Sequence, residues 1–365
     1  MKITTTKEKL LHAVLLTERL TEKKESLPIL SCIHIECGKD CVISATNLEA
    51  GIEVIVPGEI SEKGIVAVPA SVLSQTIRSI NGDKIILKTE DNNLLIESKG
   101  TKTLIKAIPH DDFPKLSLNT KEKKISLSRE HLLHGIGMVS YAASPSMIRP
   151  ELGSVYISIK SGSITTVATD SFRLAEKKIP AAAGKNDAEI LLPIKHTSEL
   201  VYILEHTDVD EVNLSIDDSQ MVVESPGMFY MSRVVDSAFP NYKEIIPKTF
   251  NTEATILKSD FTEMLRKARV FSGTDQHIGL HVYPKKKIFS ATARSSDVGE
   301  MSDSIDAALS GDDMDINFHI GYLSDCLSSI DSESITLQFS SVGRPLIIHG
   351  VSDSSFMYLV MPLNR

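Results

Sequence analysis

Cysteine and histidine side chains cluster near the start of the sequence, where Cys32, His34, Cys37 and Cys41 lie within ten residues. Thiolate and imidazole groups are the ligands that zinc prefers, and the spacing of Cys37 and Cys41 is compatible with a zinc site. No second close pair follows, however, and on a strand Cys32 and His34 point to one face while Cys37 points to the other. We therefore predict a hairpin with free thiols and no metal ion or cofactor.

Two further groupings resemble reactive sites only superficially. His277 and His281 are four residues apart, but the surrounding pattern is typical of a strand, on which this spacing does not converge as it does on a helix. Asp170 and Ser171 could join a distant histidine in a hydrolase triad, yet no G-x-S-x-G motif occurs and bulky Phe172 follows the serine. No G-x-x-x-x-G-K-[ST] motif indicates a nucleotide site either. We predict a protein that is not an enzyme.

The composition excludes several classes of protein. Lys and Arg number 39 against 48 Asp and Glu, so the net charge of −9 argues against a protein held on DNA or lipid by bulk positive charge. The N-terminal sequence MKITTTKEKL lacks the apolar region of a signal peptide. The apolar runs are far shorter than the roughly 20 residues of a membrane helix. We expect a cytoplasmic protein with no membrane partner.

The dipeptide Ala-Thr ends an apolar, strand-like run three times, at Ala45-Thr46, Ala168-Thr169 and Ala291-Thr292. Both intervals are 123 residues, close to one third of the 365-residue chain. Two sets of apolar positions with helical spacing recur at a similar period. The first set is Leu10, Val14 and Thr17; Leu132, Ile136 and Val139; Phe261, Leu265 and Ala268. The second is Leu73, Ile77 and Ile80; Thr197, Val201 and Leu204; Leu323, Leu327 and Ile330.

Each repeat therefore carries a helix, strands, a second helix and more strands. We expect Thr6, Ser128 and Ser259 to cap the first helix of each repeat. The remaining segments alternate apolar and polar residues around turns at 91–93, 161–162, 217–218 and 284–285, which indicates antiparallel hairpins. The predicted fold class is α+β, with three similar domains of two helices and a mainly antiparallel sheet, spanning residues 1–118, 119–248 and 249–365.

Seven short motifs in the expected order make the chain similar to the β subunit of bacterial DNA polymerase III, the sliding clamp. They are LPILS at 27–31, ATNLEAGIE at 45–53, VPASVL at 68–73, DDFPKL at 111–116, VATDSFRLA at 167–175, FPNYKEIIP at 239–247 and YLVMPLNR at 358–365. The resemblance covers essentially the whole chain. It implies a head-to-tail homodimer that forms a six-domain ring around double-stranded DNA, with helices lining the hole. The ring slides along DNA, tethers the replicative DNA polymerase, and is loaded by a separate clamp loader.

The resemblance also implies a groove that captures clamp-binding peptides of polymerases and other partner proteins. The matching positions are Leu152, Thr169, Ser171, Phe172, Arg173, Leu174, Pro240, Ile245, Arg344, Val360, Met361, Pro362 and Leu363. From the residues alone, a last strand packed on the core explains the apolar tail better, whereas the resemblance favours the groove for Met361 and Leu363. Family members often carry histidine where this chain has Phe172, so the groove is expected to lack a donor and to differ in peptide preference.

DNA-facing and dimer positions follow from the same resemblance. The DNA-facing residues are Lys24, Arg78, Arg149 and Lys195, each of which a solvated surface charge would also explain. The dimer positions are Thr103, Leu104, Ile105 and Lys106 on one side, with Val270 and Phe271 on the other. The end of a helix packed in the core is the alternative for Val270 and Phe271. The six predicted helices carry a small positive charge within an acidic chain, which suits retention by enclosure. A three-domain protein-interaction scaffold without DNA encirclement is the alternative function.

Overall fold

A computed structural model describes residues 1–22, 27–116, 124–160, 162–180, 187–217 and 219–363. Their contacts divide the chain into two compact units, and each is described separately. The first unit comprises residues 1–133 and 195–236, and the second comprises 134–194 and 237–365. Lys24, Ser161, Asp218 and the predicted boundary at residue 118 lie outside the described residues.

The strands of the first unit form two antiparallel sheets. Sheet A contains β1 (Lys2–Thr6), β5 (Glu59–Glu62), β7 (Lys84–Glu90), β8 (Asn93–Ser98) and β9 (Thr101–Ile105), in the order β5-β1-β7-β8-β9. Sheet B contains β2 (Cys32–Cys37), β3 (Cys41–Thr46), β4 (Ala50–Val56), β6 (Gly64–Pro69), β10 (Ile125–Ser128), β15 (Glu211–Ile216), β16 (Gln220–Ser225) and β17 (Met228–Arg233). Its order is β10-β15-β16-β17-β4-β3-β2-β6, so strands distant in sequence meet where β17 pairs with β4.

The second unit repeats this arrangement. Sheet C contains β11 (Ser154–Lys160), β12 (Ser163–Thr169), β13 (Arg173–Pro180), β14 (Ala188–Pro193), β18 (Thr252–Leu257), β22 (Ala307–Gly311), β24 (Ser334–Phe339), β25 (Leu346–Gly350) and β26 (Phe356–Val360). Its order is β14-β11-β12-β13-β26-β25-β24-β18-β22. Sheet D contains β19 (His277–Tyr283), β20 (Ile288–Ser295), β21 (Gly299–Ile305) and β23 (Met314–His319), in the order β21-β20-β19-β23. All of these pairings are antiparallel, as predicted.

The helices bury the apolar stripes predicted from the sequence. They are α1 (Lys7–Glu18), α2 (Ala70–Ser79), α3 (Arg129–Ser140), α4 (Ile194–Glu205), α5 (Lys258–Phe271) and α6 (Ile320–Asp325). Every residue of the first predicted set is at most 2% exposed, which confirms it. In the second set, Val201 is only half-buried, and the last predicted helix splits into α6 and a 3-10 turn at Cys326–Ser329. None of the described helices is long and apolar enough to cross a membrane.

Two of the three predicted helix caps are confirmed. The hydroxyl of Thr6 accepts a hydrogen bond from Lys9 N at 3.4 Å, and that of Ser128 accepts one from His131 N at 3.3 Å. The prediction for Ser259 is wrong because the cap position of α5 is Leu257, two residues earlier, and the Ser259 hydroxyl donates to Asp260 instead. Both confirmed hydroxyls satisfy a backbone N–H that a helix start leaves without an internal partner.

The Ala-Thr dipeptides share one geometry in two of their three copies. Thr46 Oγ1 donates to Ala50 O at 2.8 Å, and Thr169 Oγ1 donates to Arg173 O at 2.6 Å. Two residues after each threonine, the backbone is left-handed, with φ of 77° at Leu48 and 79° at Ser171. The third copy differs: β20 continues to Ser295, so Ala291-Thr292 does not end its strand.

The two predicted turns that the structure describes in full, at 91–93 and 284–285, are confirmed. Asp91 and Asn92 join β7 to β8 with φ of 46° and 62°, the left-handed pair that a two-residue hairpin requires. A 3-10 turn at Pro284–Lys286 joins β19 to β20. The cysteines of β2 and β3 are free and buried in a hairpin, and His277 and His281 both lie on strand β19, in agreement with the sequence predictions.

Candidate functional site

The C-terminal tail lies beside the loop that precedes β13. Strand β26 pairs with β13 so that Val360 is opposite Arg173 and Leu359 is opposite Leu174. One residue further, Met361 N donates to Phe172 O at 2.7 Å. Two segments that are nearly 190 residues apart in sequence therefore meet as neighbouring strands.

An apolar cluster lies under this junction. Its buried members are Val167, Leu174, Tyr242, Ile347 and Leu359, and half-buried Met361 packs against them together with Tyr156, Phe239, Ile246, Phe250 and Met357. The rings of Tyr156 and Phe239 stack with centroids 4.9 Å apart. The tail is thus partly the last core strand and partly a surface, because Val360 is fully buried whereas Met361 and Leu363 remain half-exposed.

Pro240 and Ile245 reach the cluster through Tyr242, which lies between them. Tyr242 N donates to Pro240 O at 2.7 Å, and Ile245 N donates to Tyr242 O at 3.1 Å. Ile245 is 50% exposed and Phe172 is 59% exposed. Two large apolar side chains therefore stand in solvent beside an apolar cluster, which is the property of a surface that binds another molecule.

The remaining groove positions are joined less closely. Arg344 is exposed and lies two residues before Leu346, which pairs with Val360. Leu152 is buried, and its backbone hydrogen bonds run to Ser144 and Arg149. Among the described residues, no hydrogen bond or strand pairing joins Leu152 to the tail. Its assignment to the groove stays a prediction.

The loop at Asp170–Arg173 is fixed by its own polar groups. Thr169 Oγ1 accepts from Ser171 N at 3.2 Å, and Asp170 Oδ1 accepts from Phe172 N at 2.9 Å. The other Asp170 oxygen accepts from Arg173 Nε at 2.9 Å. These bonds hold Ser171 in a left-handed conformation and leave the Phe172 ring facing outward.

Arg173 is held by internal partners on every side of its guanidinium. It forms ion pairs with Asp170 and Asp325 and donates to Tyr141 O at 2.7 Å, while its Cζ lies 4.6 Å from the centroid of the Tyr322 ring. Its side chain is only 13% exposed. Within the second unit, Arg173 therefore fixes the loop that carries Phe172, and its charge is already neutralised.

The predicted DNA-facing residues with described positions are all exposed. Arg78 lies in the last turn of α2, and Lys195 lies in the first turn of α4. Arg149 Nε pairs with Glu151 at 3.0 Å, which offsets part of its charge. Their exposure is compatible with either a DNA contact or a solvated charge.

The predicted dimer positions border two sheet edges. Strand β9, with Thr103, Leu104 and Ile105, is the last strand of sheet A, and Leu104 is 54% exposed. In the second unit Val270 is 63% exposed, so packing in the core does not explain it. A Cβ on Gly299, at the start of edge strand β21, would lie 3.9 Å from the Phe271 ring, so Phe271 is close to that edge.

Three family models match consecutive parts of the chain. The N-terminal domain of the DNA polymerase III beta subunit matches residues 1–117, the central domain matches 126–241, and the C-terminal domain matches 243–364. The chain belongs to the DNA polymerase III beta subunit family. Members of this family are non-catalytic processivity factors, and this chain is therefore a processivity factor with DNA and a DNA polymerase as partners.

Individual relatives are similar to the chain over all or nearly all of their length. The chain is 25% identical to the beta sliding clamp of Streptococcus pneumoniae strain R6, covering 97% of this chain and 96% of that protein. It is 23% identical to the beta sliding clamp of Pseudomonas aeruginosa, covering 100% of both. The DNA polymerase III beta subunit of Thermotoga maritima superposes with a TM-score of 0.95 at 25% identity, covering 100% of this chain and 99% of that one. The Bacillus subtilis sliding clamp superposes with a TM-score of 0.94 at 22% identity, covering 100% and 99%, and shares the three-domain clamp fold.

Some residues around the candidate groove were not predicted from the sequence. Tyr242 is 7% exposed and donates to the carboxylate of Glu176, and burial together with this bond raises the pKa of its hydroxyl. It lies inside the motif FPNYKEIIP, which could have indicated it. Asp325 and Tyr322 fix Arg173 from about 150 residues away, and no sequence pattern indicates that contact.

Proposed function

We propose that two copies of the chain pair head to tail into a closed ring that surrounds duplex DNA and tethers a replicative polymerase through the groove at Phe172 and Met361. A clamp loader opens and closes the ring, and the protein acts in the cytoplasm. The proposed domain boundary at residue 118 lies one residue after the end of the N-terminal match, and the boundary at residue 248 lies five residues after the start of the C-terminal match.

The observation that carries this proposal is that strands pair between consecutive segments of the chain at two junctions, while two further strands remain at sheet edges. In sheet B, β17 of the central segment pairs with β4 of the N-terminal segment. In sheet C, β26 of the C-terminal segment pairs with β13 of the central segment. The last strand of the N-terminal segment, β9, lies at the edge of sheet A, and the counterpart of β4 and β13 in the C-terminal segment, β21, lies at the edge of sheet D. A second copy can complete the series by pairing β9 with β21 twice, since edge strands carry unpaired backbone groups.

The strand partners of the three Ala-Thr threonines support one residue of β21 as the centre of the proposed contact. Thr46 is opposite Gly51, Thr169 is opposite Leu174, and Thr292 is opposite Ser302. In the two junctions within the chain, Met231 faces Gly51 and Leu359 faces Leu174. Ser302 is therefore the residue of β21 that the partner strand should face.

The hairpin before each junction supports Leu104 as the matching residue of β9. In sheet A, Leu104 is opposite Leu95, and in sheet B, Met231 is opposite Val222. Leu104 and Met231 therefore occupy equivalent positions in the two hairpins. Leu104 consequently faces Ser302 of the partner subunit in the proposed antiparallel pairing. Two steps along the strands, Lys106 faces Glu300 of the partner subunit, a pair of opposite charges that favours this register.

The occupant of the groove is an extended, apolar segment of a polymerase or of another partner protein. Phe172, Ile245 and Met361 offer apolar surface beside the cluster, and methionine adapts readily to different side chains. Phe172 supplies no hydrogen-bond donor from its side chain, so we expect a preference for apolar over polar residues at that point of the peptide.

Combined replacement of Met361 and Leu363 by alanine tests the groove. Removing two apolar contacts should weaken the binding of polymerase-derived peptides at least roughly 30-fold, because each deleted contact contributes about 1–3 kcal/mol. Fluorescence anisotropy measures the affinity, and light scattering verifies that the dimer persists. Val351→Ala, at a 57% exposed position of the same unit, is the matched control. Unchanged affinity in the double variant would remove the groove assignment.

Enclosure explains how an acidic protein stays on DNA. With a net charge of −9 the chain is not built to neutralise many phosphates, whereas a closed ring needs little attraction and still slides. Exposed basic residues such as Arg78, Arg149 and Lys195 then face the duplex through weak contacts.

Retention on circular DNA tests the ring directly. Protein loaded by a clamp loader onto a nicked circle should remain bound in 0.5–1 M salt, roughly the range in which ordinary electrostatic contacts are lost. It should leave when a restriction enzyme linearises the circle. Dissociation from the intact circle in salt, or unchanged retention after linearisation, would favour the interaction scaffold instead.

A further inference from the structure

Two thiols face each other at the end of the β2–β3 hairpin. Cys37 is opposite Cys41, and their Sγ atoms are 2.9 Å apart. Each residue is 1% exposed, whereas Lys39 and Asp40 at the tip are exposed. Neither the groove nor the strand junctions use this pair.

The backbone of the hairpin sets the two cysteines at a separation that a disulfide can span. Gly38 N donates to Asp40 O at 2.9 Å. Hydrogen-bonded and non-hydrogen-bonded pairs alternate along an antiparallel ladder, so Cys37 and Cys41 form a non-hydrogen-bonded pair, whose Cα atoms typically lie about 4.5 Å apart. Disulfides occur at Cα separations of about 4.4–6.8 Å. Forming the bond therefore requires the sulfur atoms to move closer by about 0.9 Å, without any rearrangement of the strands.

We propose that Cys37 and Cys41 form an oxidation site, which hydrogen peroxide converts reversibly to an intramolecular disulfide. In the first step the Cys37 thiolate attacks a peroxide oxygen, which gives a sulfenic acid and releases hydroxide. In the second step the Cys41 sulfur attacks the sulfenic sulfur, forms the S–S bond and releases water. The pair loses two electrons, and the peroxide gains them.

The environment favours Cys37 as the attacking group. Its hydrogen bond with Cys41 lowers the pKa of the Cys37 thiol, and the same bond together with burial raises that of Cys41. The two other cysteines have no such neighbour: burial raises the thiol pKa of both Cys32 and Cys326. Oxidation should therefore be confined to one pair among the four cysteines.

Thiol counting on the folded, full-length protein tests this site. Treatment with hydrogen peroxide should reduce the number of thiols from four to two, and dithiothreitol should restore all four. Digestion of the oxidised protein with trypsin, without dithiothreitol, should yield residues 25–39 and 40–63 joined, and fragmentation of the joined peptides should locate the bond between Cys37 and Cys41. Cys326→Ser should still lose two thiols, whereas Cys37→Ser should retain all three.

Three outcomes would overturn the inference. They are four thiols remaining after exposure of the native protein to peroxide, a linked peptide that contains Cys326, and an equal loss of thiols in Cys37→Ser. Because the peptide map is made on the unaltered chain, the test stands even if a variant fails to fold. It is also independent of DNA and of the dimer, so its failure would leave the proposed ring untouched.

Discussion

Arg173 illustrates how one side chain of the proposed groove can have its charge neutralised by residues of its own chain. Its guanidinium is paired with Asp170 and Asp325 and lies over the Tyr322 ring. The same contacts determine where the exposed ring of Phe172 stands. Loss of peptide binding on replacement of Arg173 would therefore report a displaced loop.

Arg173→Ala should destabilise the protein by about 3 kcal/mol, because it leaves the 12% exposed carboxylate of Asp170 without its cation. Urea unfolding measures the effect. The exposed Arg344 of the same unit provides the control, and Arg344→Ala should change stability by less than about 0.5 kcal/mol. Equal effects for the two variants would contradict the internal role of Arg173.

Glu199 on α4 is a buried carboxyl group with an incomplete set of partners. It is 7% exposed, and its Oε2 has no hydrogen-bond partner among the described residues. Burial raises its pKa from the ordinary value of 4.5 to about 7, although Lys195 and Arg19 oppose the shift. The folded protein thus binds this proton more tightly than the unfolded chain does.

The expected consequence is a loss of stability as the pH rises from about 4.5 to about 7, with no further change above. A shift of this size corresponds to about 3 kcal/mol. Glu199→Gln removes this titrating group. The free energy of unfolding of the variant, relative to that of the natural chain, should therefore rise by about 2–3 kcal/mol from pH 5 to pH 8, as measured by urea unfolding. Glu205→Gln, at an exposed position of the same helix, should show no such trend. A difference between Glu199→Gln and the natural chain that does not vary with pH would exclude the explanation.

At the scale of elements, the sequence predicted most of what depends on local spacing. The helix stripe at Leu10, Val14 and Thr17 and the turn at Asp91-Asn92 follow from periodicity and turn chemistry, and both are confirmed. The pairing of β17 with β4 brings together residues more than 170 positions apart, and no local pattern encodes it. The motif at 167–175 is a local pattern and indicated the candidate groove. The contact of Arg173 with Asp325 joins distant parts of the chain and could not be predicted for that reason.

The three predicted caps form a matched series. Thr6→Ala and Ser128→Ala should each cost about 1 kcal/mol, because each removes the acceptor for a backbone N–H in the first turn of a helix. Ser259→Ala should cost less than about 0.5 kcal/mol, since that hydroxyl bonds only to Asp260 in the structure. Thermal and urea unfolding of the three variants measure these losses of stability. A loss at Ser259 as large as at Ser128 would show that α5 is capped as first predicted.

At the scale of the whole molecule, the proposed register of β9 against β21 is open to a direct test. Cysteines placed at Leu104 and Ser302 face each other across the proposed dimer contact, so mild oxidation should cross-link the two subunits in high yield. Leu104 paired instead with a cysteine at Ile305, three positions along β21, should cross-link poorly. The experiment uses a chain in which the natural cysteines are replaced by serine. Equal yields for the two pairs would refute the register.

The strand junctions also differ in how they respond to dilution. Those between β17 and β4 and between β13 and β26 join parts of one polypeptide, so their partners remain at a high effective concentration however little protein is present. The proposed β9–β21 contact has no covalent tether, so its formation should depend on the concentration of subunits. In a cell that makes few copies of this chain, most free subunits would thus be monomers. A dimeric ring that encloses DNA would then outlast the rings that form free in solution.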